Sequence, residues 1–320
     1  MHWMDRLVVA GSRSERIYPR LFPAGWGDTD ALARFREPIR SLDPVTEVEL
    51  DWSPVRSPGP LLAWETTFTS PAPDLPKAAQ SAHLRMISPV PDPDRIVLLM
   101  AAFNDHGYST RSIFARHLAR RGIATVMLEN PLYGRRRITA DKQATRTVLD
   151  LLVMGEAATL EGVAVLEALR RSSDARLGVS GYSMGGNIAA LVGAVTPFPI
   201  ALAPLASSPS PGPVFAEGVL SRTIKWGSLG GRERREDLGK VLGSASALHL
   251  PAPPHAEHAV LVAAHKDGYI PRHSVEGLNR HWRGSELRLL GGGHASLWMF
   301  GKAKLAAAVE AAFLRLEHAS

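Results

Sequence analysis

The chain has 320 residues, 45% hydrophobic and 21% charged, with 37 Lys plus Arg against 31 Asp plus Glu. That balance excludes disordered and collagenous chains and suits a soluble protein large enough to bury a full core, as one large α/β domain or two small ones. Cysteine is absent, which excludes disulfides, thiolate metal sites and a cysteine nucleophile, and points to a reducing, cytoplasmic setting.

The basic excess favours anionic partners, so peripheral contact with anionic lipid is one expectation. It is spread as arginine through helical patterns, however, and no nucleic-acid module accompanies it, so no nucleic-acid partner is expected. At the amino terminus, "MHWMDRLVVAGSRSERIYPR" holds an apolar run of only four residues, too short for a signal-peptide core. No stretch reaches the length of a transmembrane segment.

Further along, "PLLAWETTF" and "AHLRMISPV" alternate apolar and polar residues, as an antiparallel pair at a sheet edge does. "RIVLLMAAF" (95–103) and "IATVMLE" (123–129) predict buried strands. Between them "YSTRSIFARHLARRG" predicts a helix closed by Gly122. From about 144 to 170, Leu149, Leu152, Val153, Leu160, Val163 and Leu166 recur at helical spacing. "ARLGVSG" (175–181) predicts a strand, and "MGGNIAALVGAV" a helix with an apolar face through Ile188, Leu191 and Val192. "PIALAPLA" (199–206), "HAVLVAAH" (258–265) and "ELRLLG" (286–291) continue the strands. A last helix buries Leu305, Val309, Ala312, Phe313 and Leu316.

Strands alternating with helices predict an α/β protein with a mainly parallel central sheet flanked by helices. Chemistry in such sheets collects at the carboxyl ends of the strands. One interval breaks the rhythm: residues 207–257 run from "SSPSPGP" to "LPAPPHAE" without a clear strand. Too long for a plain loop, it reads as a helical cap insertion between strands 6 and 7 of this count. The chain then divides into an N-terminal extension and edge strand (1–80), a first part of the core (81–206), the cap (207–257) and a second part of the core (258–320).

Within "SGYSMGGNIAA" (180–190), Ser183 stands between Gly181 and Gly185, at the junction of a predicted strand and a predicted helix. A sharp turn there pushes the serine out of the backbone, and side chains at the flanking positions would collide with strand and helix. The turn also brings the amide of Met184 to a helix amino terminus, where it can donate to a developing oxyanion. Asp267, in "AVLVAAHKDGYIP", and His294, in "LRLLGGGHAS", each follow a later predicted strand. Taken singly, Asp267 before Gly268 also suits a turn, and His265 and His273 lie close by. The order Ser183, Asp267, His294 is that of the α/β-hydrolase fold, which the chain therefore resembles. A second oxyanion donor is expected after "RIVLLM", from the amide of Phe103 or Asn104, with Asp105 and His106 orienting that loop.

The resemblance extends to a family. "YPRLFPAGWGDTDALARFRE" (18–37), "NDHGY", "LENPLYGRRR" (128–137), "DLLVMGEAATLEGVAVLEAL" (150–169), "GYSMGG" and "FAEGVLSRTIKW" (215–226) occur in order over most of the chain. In them it resembles the alpha/beta hydrolase domain-containing protein eighteen family. That resemblance implies the hydrolase fold, roles for Ser183, Asp267 and His294, and acyl esters of lipids as substrates. The sequence departs from the family's glycine-rich segment at "AFNDH".

The function expected is that of a serine esterase or lipase-like enzyme working through an acyl-enzyme, without a cofactor. "LENPLYGRRR" ends a predicted strand, so Glu129, Tyr133, Arg135 and Arg136 are candidates to border the pocket, the arginines reading a phosphate or carboxylate head group; facing solvent is the alternative. A thioesterase, peptidase or acyltransferase would share the triad, and a non-catalytic scaffold would share the fold. No metal site is expected: "HAEH" (255–258) spaces its histidines too closely for a helical pair, without an evident third ligand.

Overall fold

A computed structural model describes residues 1–6, 20–39, 47–57, 59–138 and 145–318. The four-residue apolar run at 7–10, the start of the 18–37 stretch and residue 144 lie outside these. Among the described residues nine strands form one sheet: β1 (Ser53–Pro54), β2 (Leu62–Thr69), β3 (Ser81–Ser88), β4 (Arg95–Met100), β5 (Ile123–Leu128), β6 (Arg176–Tyr182), β7 (Ala201–Leu205), β8 (Val260–Ala264) and β9 (Glu286–Leu290). Their order is β1-β2-β3-β5-β4-β6-β7-β8-β9. β1, β2, β3 and β5 pair antiparallel, and every pair from β5 to β9 is parallel. The sheet is thus mixed but mostly parallel.

Period-two alternation decides what each face of the sheet packs against. On one side Ile96, Leu98 and Met100 of β4 join Val126 and Val179. Covering them are α3 (Val148–Ser172), through Val163, Leu166 and Leu169, and α4 (Met184–Val195), through Ile188 and Leu191. On the other side Val97 and Leu99 join Met127, Ala203 and Val262 under α2 (Ser109–Ala119) and the last helix, α9 (Lys302–Glu317). α3 starts at Val148 behind a capping box, in which Thr147 accepts from the Asp150 N–H and Asp150 accepts from the Thr147 N–H.

Two elements escape the sequence patterns. β1 is only two residues long and contains Pro54, so it carries no alternation. α7 (Arg272–His281) is mostly polar, with only Ser274, Val275 and Leu278 buried.

Residues 207–257 hold no strand; they form α5 (Pro211–Ala216), α6 (Arg235–Gly243) and several 3-10 turns. With β1 counted, this interval falls between β7 and β8. It shares a third apolar cluster with the N-terminal segment that contains α1 (Thr29–Ala33), where Phe22 and Leu32 meet Phe215, Trp226 and Leu238. Main-chain bonds join the two, from Leu21 N–H to Thr223 O and from Lys225 N–H to Leu21 O, both 2.9 Å. Among the described residues no helix is long and apolar enough to cross a membrane.

Candidate active site

Ser183 leaves β6 with φ 58° and ψ −120°, a left-handed conformation disfavoured for a residue with a side chain. Such a backbone typically costs about 1–3 kcal/mol and persists only where its surroundings impose it. The surroundings here are the two glycines. A Cβ on Gly181 would lie 2.3 Å from the carbonyl of Gly185, and one on Gly185 would lie 2.4 Å from Met100 O. The turn packs strand, helix and the end of β4 so closely that only glycine fits at either position. Ser183 N–H bonds Leu205 O at 2.9 Å, and its own carbonyl accepts from Gly186 and Asn187, starting α4.

Asp267 follows β8, and His294 opens α8 (His294–Phe300) after β9. Their side chains meet, Nδ1 of His294 lying 2.9 Å from Oδ2 of Asp267. The second oxygen, Oδ1, accepts from the amides of Tyr269 (2.8 Å) and Ile270 (2.9 Å), which fixes the carboxylate's plane. The imidazole is flanked by the rings of Tyr182 and Tyr269, 5.0 and 4.8 Å away. The Tyr182 hydroxyl donates to the His294 carbonyl at 2.6 Å. Burial, with the nearby carboxylates of Asp267 and Asp5, holds the Tyr182 phenol well above its ordinary pKa, so it stays a donor.

Ser183 and His294 line one cavity of about 370 Å³, with Phe103, Thr223, Tyr269 and Trp298. On its other side Ser183 borders a smaller apolar space of about 50 Å³, walled by Phe103, Met154, Met184, Val214 and Phe215. The amides of Met184 and Phe103 have no hydrogen-bond acceptor among the described residues. That of Asn104 is already engaged, donating to the Tyr133 hydroxyl at 3.2 Å. Asn104 itself takes a left-handed φ of 61°. Of the two expected donors from this loop, Phe103 is therefore the one left free.

The structure places the "LENPLYGRRR" residues behind this loop, outside both cavities. Tyr133 is fully buried. Its ring lies 4.7 Å from that of His106, whose Nδ1 accepts the Gly134 N–H at 3.2 Å. Glu129 is buried too and accepts the Arg135 N–H at 3.0 Å. Arg136, also fully buried, spends all its donors internally, on Glu161, Ala79 O and Glu129 O. It is left with nothing to offer a head group. Arg135 is half exposed, leaning on Glu65 and over the Tyr108 ring, again away from Ser183.

Asp105 is among the residues expected to orient the loop after β4, but its partner Arg111, and several other residues that shape the site, leave no signal in the sequence. Asp105 is buried against Arg111, whose Nε lies 2.8 Å from the carboxylate and whose other nitrogens bond Leu99 O, Leu128 O and Gly107 O. Asp5 reaches the loops that carry Asp267 and His294 from residues 3–6. Tyr182 and Tyr269 sit beside expected site residues, yet adjacency in sequence does not reveal a ring contact. The histidines of "HAEH" come together with a third donor after all. His255, Glu257 and His258 place ligand-type atoms within 4.8 Å of one another. The 3-10 turn at Ala256–His258 brings the two imidazoles to 5.9 Å, near-parallel, on an accessible turn before β8. None of these residues lines a cavity with Ser183.

The same architecture recurs in solved esterases. An acetyl xylan esterase from Paenibacillus sp. matches with a TM-score of 0.60 at 16% identity, over 88% of this chain and 91% of its own. Acetyl xylan esterase 1 from Thermoanaerobacterium sp. matches at 0.55 and 15%, over 92% and 98%. A cold-adapted esterase from an Arctic intertidal metagenomic library matches at 0.54 and 17%, over 81% and 98%. At these identities the likeness establishes the fold. The family model described as alpha/beta hydrolase domain containing 18 matches residues 19–240 and 230–315. By a match that runs from the N-terminal segment through the serine turn to the last helix, the chain belongs to the alpha/beta hydrolase domain containing 18 family.

Proposed function

We propose that this chain is a serine hydrolase that cleaves an acyl ester through an acyl-enzyme. The observation that carries the reading is the 2.9 Å contact between Asp267 and His294 beside a serine held in a left-handed turn, with serine and histidine on one cavity. In the reaction the imidazole of His294 takes the Ser183 hydroxyl proton as the oxygen attacks the acyl carbon, and Asp267 stabilises the imidazolium. The amides of Met184 and Phe103 receive the oxyanion. The imidazolium then protonates the leaving alkoxide, and water, activated by the same base, releases the acid.

Residues 207–257 act as the cap in this proposal. Val214 and Phe215 wall the small apolar space and Thr223 the larger cavity, while Leu220 lines both. The apolar walls favour an uncharged acyl group beside Ser183. The esterases that share the fold make a simple ester the first substrate to try, and the family resemblance adds acyl esters of lipids.

The test is labelling with a fluorophosphonate, followed by mass spectrometry and turnover of an ester panel. Labelling at Ser183 alone, lost in Ser183→Ala and on heat denaturation, is the expected result. Folded protein that neither labels nor turns over any ester would leave the fold serving as a binding scaffold.

A further inference from the structure

Asp5 belongs to a helical turn at residues 3–6, more than 260 positions from the histidine loop, and is fully buried. Its carboxylate holds both triad loops at once. Oδ2 accepts the backbone N–H of Gly268 at 2.9 Å and that of His294 at 3.1 Å. Oδ1 accepts the N–H of Ala295 at 2.9 Å. Gly268 follows Asp267 directly, so one side chain bridges the loop that carries the acid and the loop that carries the imidazole.

The glycines of both loops fit the same approach. A Cβ on Gly268 would lie 2.6 Å from Met1 Cγ and 3.3 Å from Asp5 Oδ2. On Gly293 it would lie 2.3 Å from His2 Cβ and 2.6 Å from Asp5 Oδ2. The His2 amide adds a bond to Lys266 O at 2.9 Å. A glycine beside the acid and another beside the base are thus crossed by one N-terminal turn.

Hydrogen bonds to an ionised acceptor are shorter and stronger than neutral ones. A carboxylate left buried without them is costly, so Asp5 fixes its donors in place. What it fixes is the relative position of two backbones whose side chains must meet at Nδ1 and Oδ2. We infer that Asp5 is a positioning residue of the triad, setting the separation of the Asp267 and His294 loops. The inference rests on the hydrolase reading of the site.

The experiment compares wild type, Asp5→Asn and Asp5→Ala, with wild-type labelling and turnover measured first. Asp5→Asn keeps the shape and one acceptor oxygen but loses the charge and part of the bridge. Expected is a cooperative thermal melt, with kcat per titrated site and the phosphonate labelling rate falling together by about 10-fold or more, and KM within about 2-fold; small displacements of reacting groups cost up to about 10²-fold. Asp5→Ala should fall further still.

A lower Tm with unchanged kcat per titrated site would overturn the inference, because Asp5 would then only anchor the terminus. Asp5→Asn that fails to fold would overturn it as well, since the carboxylate would be a requirement of the fold. Wild type that neither labels nor turns over an ester removes the hydrolase reading itself, a failure visible before any Asp5 variant is measured.

Discussion

The hydroxyl of Tyr133 accepts the backbone N–H of Asn104 at 3.2 Å, so a residue from the loop after β5 holds the loop after β4 in its left-handed turn. The bond takes the Asn104 amide out of use and leaves that of Phe103 free. Tyr133→Phe removes the acceptor and keeps the ring. It should lower stability by about 1 kcal/mol, the usual net worth of one such bond. If this loop supplies an oxyanion donor, kcat should also fall several-fold with KM little changed. Wild-type kcat in a variant with a lowered Tm would separate the loop from the chemistry.

How much of this site is legible in the sequence follows from how local each cause is. The serine turn is legible because its glycine–serine–glycine pattern spans five residues, although only one of its demands is local: a Cβ on Gly181 would strike Gly185, whereas one on Gly185 would strike Met100 of β4. The strands of the core are legible because a short apolar run bounded by polar or glycine residues is a local signal, and the fold then sends Ile96, Leu98 and Met100 to one layer and Val97 and Leu99 to the other. Arg136 is not. Whether a guanidinium meets solvent or a carboxylate depends on Glu161, 25 positions away on another element, and on the Ala79 carbonyl. Asp5 is less legible still, since its donors lie at the far end of the chain and are backbone groups with no side-chain signature.

The Arg136–Glu161 pair, both side chains fully buried, gives a second test. Breaking a buried pair by removing one partner typically costs about 3–5 kcal/mol, because the other charge is stranded. Arg136→Met alone should therefore destabilise severely, while Arg136→Met with Glu161→Leu recovers much of the loss. Arg135→Ala, at a half-exposed position outside the cavities, should change KM for anionic and neutral esters by the same small factor. Chemical melts check the pair, and an ester series checks Arg135; a rise in KM confined to anionic esters would return the arginine to substrate recognition.

Acid should weaken the fold before it titrates the carboxylates. His106 has its pKa lowered from 6.5, by burial first and then by Arg137; His83 is lowered by burial and Arg135, and His117 by burial and Arg120. A folded state that holds these protons less tightly than the unfolded chain loses stability as pH falls through about 6.5, because the unfolded chain then binds more protons. The loss stops growing once pH is below the folded values. Glu286 and Glu317, whose pKa values are lowered by their arginine partners, act in the same direction only below the usual carboxylate range. Thermal melts between pH 7.5 and 5.5 should show a falling Tm. His106→Phe, which keeps a ring against Tyr133, should start lower and fall less steeply. An unchanged slope would show that His106 takes no part.

Gly155 tests the acyl side of the pocket. It sits in the interior of α3, where glycine is disfavoured by about 1 kcal/mol relative to alanine, yet a Cβ built there would meet nothing within 4 Å. No neighbour requires the glycine; it borders the apolar space beside Ser183, which Met154, Val214 and Phe215 also wall, and on another side a cavity of about 310 Å³ lined by Phe35, Leu152 and Asn187. Gly155→Leu should therefore raise the Tm through helix propensity while filling the space beside Ser183. If acyl groups enter there, kcat/KM for hexanoyl esters should fall by about 10-fold or more relative to acetyl esters, on the scale of 1–3 kcal/mol for a methylene or two in an apolar pocket. A stabilised variant with the wild-type chain-length profile would place the acyl group in the larger cavity, on the Tyr269 and Trp298 side of the serine.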